Sequence, residues 1–505
     1  MRRLNIYLIS YSVIASIILL MLLSIYYFNK NMSVIFSLDD PYIHLALADH
    51  IKSLHYGVNS NEFASPSSSI LWPFLLVPFV ALDMGSFGAL FWNILGIIAI
   101  FYFWNRLFER LHFSPGVSAS LALAMTVLLN SFGLVFTGME HTLHVAATLA
   151  VIVGLIETVE DDHLSPWLVP AVILGVLLRF EGAGVAAATA CALFMTGHKR
   201  PALIIVALTA LCLAAFSLGL MLLGLPPLPS SVLVKLQEET LLRKLLYPTL
   251  NVPFLVMIII FFTQKNPLAD RKRLALFTFA FIVGLGHIIL GRTGWMRRYE
   301  IYAVTVVVAM TLYFLFSQPE QRKLDKRAII AGSVLFVVFS AICFVRYTLL
   351  TPAATASVYN QQYQMGRFAK DYWKAPIAVN DLGWVAYGNP NYVLDLWGLS
   401  SESARKARLS AEPGWMGQLV TAKKVGLALI YAAWFKDDIP PHWTHIGHLH
   451  FNGQSVSIAF PDVDFYLTDA NEAQRAYQAL TEFKKTLPPI NTLDIFPLDA
   501  PQPKT

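Results

Sequence analysis

Two adjacent carboxylates, Asp39 and Asp40, stand directly before Pro41. A carboxylate in such a pair can act as a general base toward a hydroxyl, provided it sits within hydrogen-bond reach of the proton it removes. Asp followed by Pro also starts helices, because the carboxylate can cap free N–H groups and Pro suits the first helical position. Capping accounts for one of the two acids well and for the second poorly. Asp40 is therefore expected to cap, and Asp39 to be the acid without a structural duty. Ile43, Leu47 and Ile51 recur at helical spacing, so the segment is expected to rest an apolar face on a membrane surface.

Further ionisable residues lie in short segments between apolar runs. Glu140 and His141 follow Gly138-Met139, and Arg179 and Glu181 flank Phe180. Mutual pairing of Arg179 with Glu181 or Glu140 would explain them structurally; charges at membrane depth are also costly and often functional. The rigid stretch Leu225–Ser231 leads to Lys235, and Gly291–Glu300 carries Arg292, Arg297 and Arg298. Arginine matches phosphate geometry, whereas snorkelling toward headgroups explains one arginine more easily than three. No metal ligand is assigned from spacing. His442, His445, His448 and His450 cluster, but Gly447 and the alternation around it suggest loop and strand, and the strong Cys/His pattern of zinc sites is absent. Nucleotide-binding loops, a Gly-x-Ser-x-Gly elbow and His-Glu-x-x-His are all missing.

The elements that must position these residues are mostly apolar. Of 505 residues, 56% are apolar and 14% charged, against about 25% charged in ordinary soluble proteins; mean hydropathy is +0.57. Disorder, a single soluble domain and a basic nucleic-acid binder are excluded. Runs at Ile6–Phe28, 86–105, 117–136, 142–158, 167–181, 183–197, 201–223, 246–262, 274–290, 299–316 and 328–350 imply about eleven spans, at about 20 residues per span. Ile70–Leu82, with Pro73 and Pro78, is ambiguous between an interfacial and a re-entrant helix. The short basic segments Arg2-Arg3, 106–112, 198–200, 265–273 and 322–327 all fall on one side, which the positive-inside rule makes cytoplasmic. The opposite side receives a first loop, 29–69, and the tail, 351–505. Cys191, Cys212 and Cys343 lie inside apolar runs, so a disulfide framework is not expected. In the tail, Pro376–Asn380, Tyr392–Leu396, Leu427–Tyr431 and Ser455–Phe460 look like buried strands, and Gln361–Trp373 and Ala470–Lys485 like helices. Pro488–Thr505 is expected to lie over the surface. The reading is a polytopic α-helical membrane protein, 1–350, with a C-terminal extracytoplasmic α/β domain.

In order, these segments resemble the GT-C glycosyltransferases. Asp39-Asp40-Pro41-Tyr42-Ile43-His44 is similar to the first-loop motif of that superfamily, and Asn61–Trp72 to the stretch that follows it. Gly138-Met139-Glu140, Arg179-Phe180-Glu181-Gly182, Leu228-Pro229-Ser230-Ser231 with Lys235, and Trp295-Met296 with Arg298 match later elements. Asn380-Asp381-Leu382-Gly383 and Leu394–Leu399 resemble its tail motifs. The branch most resembled is that of the terminal arabinofuranosyltransferases of mycobacterial cell walls; aminoarabinose transferases and protein O-mannosyltransferases are more distant. Phe63-Ala64 and Thr293-Gly294 depart from the pattern, which bears on the sugar more than on the reaction.

The resemblance implies transfer, with inversion, of a sugar (a pentofuranose among the candidates) from a polyprenyl-phosphate donor to a glycan, lipid or protein acceptor of the cell envelope. Asp39 would be the base, with Asp40 orienting the helix or sharing the role. Lys235, Arg297 and Arg298 would meet the phosphate, and His44, Glu140, His141, Arg179 and Glu181 would hold the sugar or position the cations. Dependence on a divalent metal stays open. A transporter or flippase of a lipid-linked sugar is the alternative, favoured by many spans and disfavoured by ionisable residues gathered on one face.

The orientation is directly testable. With Cys191, Cys212 and Cys343 replaced, Asn471→Cys should react with an impermeant thiol reagent from the external side of intact cells. Labelling only from the cytoplasmic side would reverse the topology.

Overall fold

A computed structural model describes residues 2–30, 34–235, 244–317 and 326–498 of the chain, with the side chains of Arg2, Lys235 and Lys326 outside that description. Six helices are long and apolar enough to cross a membrane: Arg3–Asn29, Gly85–Arg110, His141–Asp161, Lys199–Leu222, Arg271–Leu290 and Arg327–Trp373. The other five expected spans form shorter apolar helices: Pro115–Leu128, Leu168–Leu178, Gly182–Met195, Pro248–Phe262 and Ile301–Phe316. At 1.5 Å per residue an 11-residue helix covers only about 16 Å of a ~30 Å hydrocarbon core. The count of about eleven full spans is therefore not met by helix length.

The bundle is built around two buried helices. His141–Asp161 is buried along nearly its whole length and Ile301–Phe316 along most of it, whereas Lys199–Leu222 buries only Ala202, Ile205 and Leu220. A helix exposed on all sides in apolar side chains is what a lipid environment accepts. The last long helix runs from Lys326 through a π turn at Ala341–Val345 into Arg346–Asn360, then Gln362–Arg367 and a second π turn at Phe368–Trp373. It passes position 351 without interruption and carries the chain into the tail.

The tail is a six-stranded mixed sheet, β1 (Ile377–Val379), β2 (Val393–Asp395), β3 (Leu427–Ile430), β4 (Thr444–Phe451), β5 (Asp462–Leu467) and β6 (Asn491–Ile495), in the order β2-β1-β3-β5-β4-β6. β1 is parallel to β2 and β3; β5, β4 and β6 join antiparallel. Ile377, Val379, Leu429, Leu449, Val463 and Phe465 face the Ala473–Lys484 helix. Ala378, Leu394, Ala428 and Ile430 face Trp415, Met416 and Ala404 on the other side. Two expectations change. Ser455–Phe460 is a connection and not a strand: Val456 packs on the bundle side, while Ala459 and Phe460 meet the sheet domain. Part of the Pro-rich end forms edge strand β6, and 499–505 lie outside the described residues.

The loop after the first long helix lies between these two bodies. The Asp40–Ile51 helix does not rest on a membrane surface: Pro41 through Ala48 are all buried. Tyr42, Leu45 and Ala48 join the core of the bundle, while Ile43 and Ala46 join that of the sheet domain. Two apolar faces occur because two protein surfaces cover it. Further along the loop, the Asn59 amide donates to Val393 O (3.0 Å) and accepts from Val393 N (2.9 Å), which occupies the open edge of β2.

One glycine makes this docking possible. A Cβ on Gly383 would lie 2.2 Å from the Asp39 carbonyl oxygen and 2.5 Å from its carboxylate. Gly383→Ala should force the loop and tail apart, at about 1–3 kcal/mol for overpacking a close contact. A lowered thermal midpoint and faster proteolysis of the 52–69 segment are expected; unchanged values would show that the contact is not tight.

Candidate functional site

Asp39 and Asp40 occupy different environments. Asp39 is 8% exposed and holds the N-cap position of the Asp40–Ile51 helix without a side-chain bond to that helix. Its carboxylate instead accepts from Gly383 N (2.6 Å) and Trp384 N (2.9 Å), across the interface to the tail. The Tyr42 ring stacks on Trp384 with centroids 3.9 Å apart. Asp40 is the first helical residue, and its side chain, 32% exposed, is ion-paired with Arg298. The expected division of labour is thus exchanged: Asp39 carries the structural duty, and Asp40 does not serve as the N-cap.

Asp39 also meets a second acid. Burial first, then the charge of Asp381, push its carboxyl well above the usual range, against the pull of the two N–H groups. Burial likewise raises Asp381, whose carboxylate accepts from Gln362 Nε2 (2.9 Å) and Tyr431 OH (3.1 Å). Two buried acids whose charges oppose each other resist ionising together, so the pair holds a proton above the pH at which separate carboxyls release theirs.

On the other side of Asp40, Arg298 donates to Tyr299 OH (2.7 Å). The Tyr299 ring is a hub for cations: the guanidinium carbons of Arg298, Arg292 and Arg179 lie 4.7, 5.6 and 5.7 Å from its centroid. His141 meets the same ring edge-on at 6.1 Å. Arg179 ends the Leu168–Leu178 helix and Glu181 precedes the Gly182–Met195 helix. The buried Arg179 guanidinium donates to Glu140 (2.7 Å) and Glu181 (2.7 Å), with Ser68 Oγ 3.4 Å from both Arg179 and Glu140. Beyond this hub opens a cavity of about 350 Å³ lined by Arg179, Glu181, Arg292, His287, Tyr299 and Tyr302 at its polar end. Val185, Ile282, Val283 and Leu290 line the rest.

The structure therefore gathers Asp40, Glu140, His141, Arg179, Glu181 and Arg298 around one ring. It does not bring Arg297 or His44 to that ring. Arg297 lies between Tyr247 and Tyr347, donating to Tyr247 OH and to Cys343 O (3.2 Å) and pairing with Glu300. His44 faces Ser67 (3.2 Å). The Lys235 side chain lies outside the described residues. Sequence reasoning missed Tyr299, whose signal was its place beside Arg298, and gave Arg292 no role of its own. It also missed the pairing of Asp381 with Asp39, which no local pattern announces.

Groups whose ligand atoms could surround a metal ion lie elsewhere, in the histidine-rich stretch to which spacing assigned no ligand. Among the described residues, His445, His448 and Asp464, and His448, His450 and Asp462, could each hold an ion. Asp39 and Asp40 belong to neither: one carboxylate is taken up by backbone N–H groups and the other by a guanidinium.

A domain family of unknown function, DUF8728, matches residues 353–476. No curated protein matches the chain. Among solved structures, an oligosaccharyltransferase of Archaeoglobus fulgidus tethered with an acceptor peptide is similar at 11% identity. The similarity covers 91% of this chain and 74% of that one, with a TM-score of 0.44. The same enzyme in complex with zinc and sulfate is similar at 11% identity over 87% and 72%, with a TM-score of 0.46. The arabinofuranosyltransferase AftD from Mycobacteria is similar at 14% identity over 90% of this chain and 41% of that one, with a TM-score of 0.41. Fold and site define a multi-pass helical membrane protein whose α/β domain closes over the loop that follows its first long helix.

The Asp39–Asp381 pair sets a sign for pH dependence. The folded state keeps a proton that the unfolded chain gives up in the ordinary carboxylate range, so the pair's stabilisation falls as pH rises from that range through the raised value. Thermal midpoints measured across this window should fall more steeply with pH in the wild type than in Asp381→Asn. Equal slopes would remove the shared proton.

Proposed function

We propose that the chain is a membrane glycosyltransferase that uses a polyprenyl-phosphate sugar and delivers it to a hydroxyl acceptor on the face bearing the α/β domain. The observation that carries this reading is the Tyr299 hub. It joins a carboxylate open to solvent, Asp40, to a cavity with cations at one end and apolar walls along the rest. A phosphate carrying a lipid chain has the same division of polarity, and arginines are its natural partners. No nucleotide site is required by such a donor.

The chemistry follows from the positions. Asp40 removes the acceptor's hydroxyl proton as that oxygen attacks the anomeric carbon. The bond from that carbon to the phosphate oxygen breaks, and polyprenyl phosphate leaves as an anion beside Arg298 and Arg292. A single displacement inverts the anomeric centre. Cations aimed at the departing phosphate stabilise charge that grows in the transition state. Glu140 and Glu181 hold Arg179 against the ring, and Glu181, lining the cavity, is available to sugar hydroxyls, with His141 flanking; His44, turned to Ser67, has no part in this step. Asp39 acts through position, anchoring the helix that begins with Asp40. Lys235 stays a candidate phosphate ligand, while Arg297 serves the Tyr247–Glu300 contact. No step is routed through a metal. The sugar is not specified by these residues; a pentofuranose follows the sequence resemblance alone.

The two acids separate in a transfer assay on purified variants, with polyprenyl-phosphate pentofuranose and hexose donors offered in turn. Asp40→Asn should lose about 10²–10⁴-fold in rate, the contribution of a general base, in protein that stays folded at the assay temperature although its midpoint falls with the loss of the Arg298 ion pair. Asp39→Asn should lower the midpoint first, and activity with it. Arg292→Gln should weaken binding of undecaprenyl phosphate. Normal turnover in Asp40→Asn would end this mechanism.

A further inference from the structure

The outer face of the β4–β5 hairpin carries chemistry that glycosyl transfer does not use. His445, His448 and His450 of β4 stand opposite Tyr466, Asp464 and Asp462 of β5. Residues 445 and 448 would face opposite ways on a regular strand, since the side-chain period is two. The register shifts between His445 and Gly447, and this bulge turns His445 onto the face of His448 and His450. Gly447 sits in the bulge where a Cβ would lie 3.2 Å from Asp494 O.

The side chains converge in pairs on single carboxylate oxygens. Asp464 Oδ1 lies 2.9 Å from His445 Nε2 and 2.9 Å from His448 Nδ1. Asp462 Oδ1 lies 3.0 Å from His448 Nε2 and also meets His450 Nδ1. In each set the three donor atoms lie within 4.8 Å of one another. Ligand atoms of a tetrahedral zinc shell lie about 3.3 Å apart, given metal–nitrogen bonds of about 2.0–2.1 Å. Small rotations of side chains already in place would admit an ion.

We propose that His445, His448 and Asp464 form a binding site for one zinc-class divalent ion, with a fourth position open to water. Two imidazoles and a carboxylate suit zinc and its neighbours, and not magnesium or calcium, which take oxygen ligands. The inner set is favoured over the outer because its histidine is fixed in advance. His445 is 6% exposed and its ring lies 5.0 Å from Tyr466 and 5.0 Å from Phe496. His450, at 38% side-chain exposure, has no such packing.

The ion would tie β4 to β5, the two legs of a hairpin whose tip reaches the bundle. Ser357 Oγ donates to Gln454 O (2.8 Å), Ser457 Oγ to Ala354 O (3.1 Å) and Gln361 Nε2 to Phe460 O (2.7 Å). Val456 packs on the cluster of Leu38, Met139, Met296 and Ala354, next to Asp39 and Glu140 in the chain. The site is thus a clamp on the element that wedges the α/β domain against the first loop. It stands or falls independently of the transfer reaction.

The test uses tag-free full-length protein in detergent, stripped with a chelator and dialysed. Titration with zinc chloride should show one ion per chain and a raised thermal midpoint, since binding to the folded state alone stabilises it. Cobalt chloride should give the visible absorption of a tetrahedral site, and magnesium chloride should do nothing. Zinc affinity should fall at least tenfold in His448→Ala, His445→Ala and Asp464→Asn and stay within about threefold in His450→Ala; Asp464→Asn keeps the proposal testable if a histidine variant fails to fold. Absence of zinc binding to the wild type would overturn the proposal. So would binding that survives His448→Ala, or that survives His445→Ala and is lost in His450→Ala.

Discussion

The carboxylate of Asp39, bonded to two backbone N–H groups some 345 residues further along the chain, is the constraint on which the rest of the arrangement depends. It fixes where the Asp40–Ile51 helix begins, and therefore where the Asp40 side chain points. It also ties the α/β domain to the first loop at the one place where Gly383 lets backbone and carboxylate meet. The Tyr42–Trp384 stack and the Asp381 carboxyl close around the same point. A buried carboxylate is costly unless its oxygens are bonded; here two N–H groups and a shared proton offset that cost.

The second feature is the concentration of charge around Tyr299. Arg179 is buried with Glu140 and Glu181. Such a group rarely adds much net stability, because desolvation cancels most of the attraction, yet removing one member leaves an uncompensated charge. Its value is in geometry. It holds a guanidinium against one side of the ring while Arg298 spans from the ring to Asp40 on the other. The cavity begins where this network ends, at the ends of helices whose remaining walls are apolar.

Much of this was legible in the sequence, because hydrophobic runs and short-range motifs are local signals. The apolar helices, the tail's first three strands and the gathering of Asp40, Glu140, Arg179, Glu181 and Arg298 on one face follow from such signals. What failed was non-local. Which acid is structural depends on Gly383 and Trp384, far away in the chain. Ser455–Phe460 has strand composition, but its apolar residues divide between the bundle side and the sheet domain. The Ile43, Leu47 and Ile51 face of the first-loop helix reads as membrane-facing because the sheet domain that covers Ile43 is invisible from within the loop. Spacing assigned the β4 histidines to no metal because the bulge that turns His445 onto the face of His448 cannot be read from it.

The central claim is that Asp40 and the Tyr299 hub frame one site for a lipid phosphate and an acceptor hydroxyl. An experimental structure of the full chain with undecaprenyl phosphate bound tests it most directly. The account predicts phosphate density in the cavity against Arg292 and Tyr299, with Asp40 facing the space left for a sugar and Asp39 still bonded to Gly383 and Trp384. A phosphate bound away from that hub, or an Asp39 carboxylate released from the tail and turned toward the lipid, would contradict it.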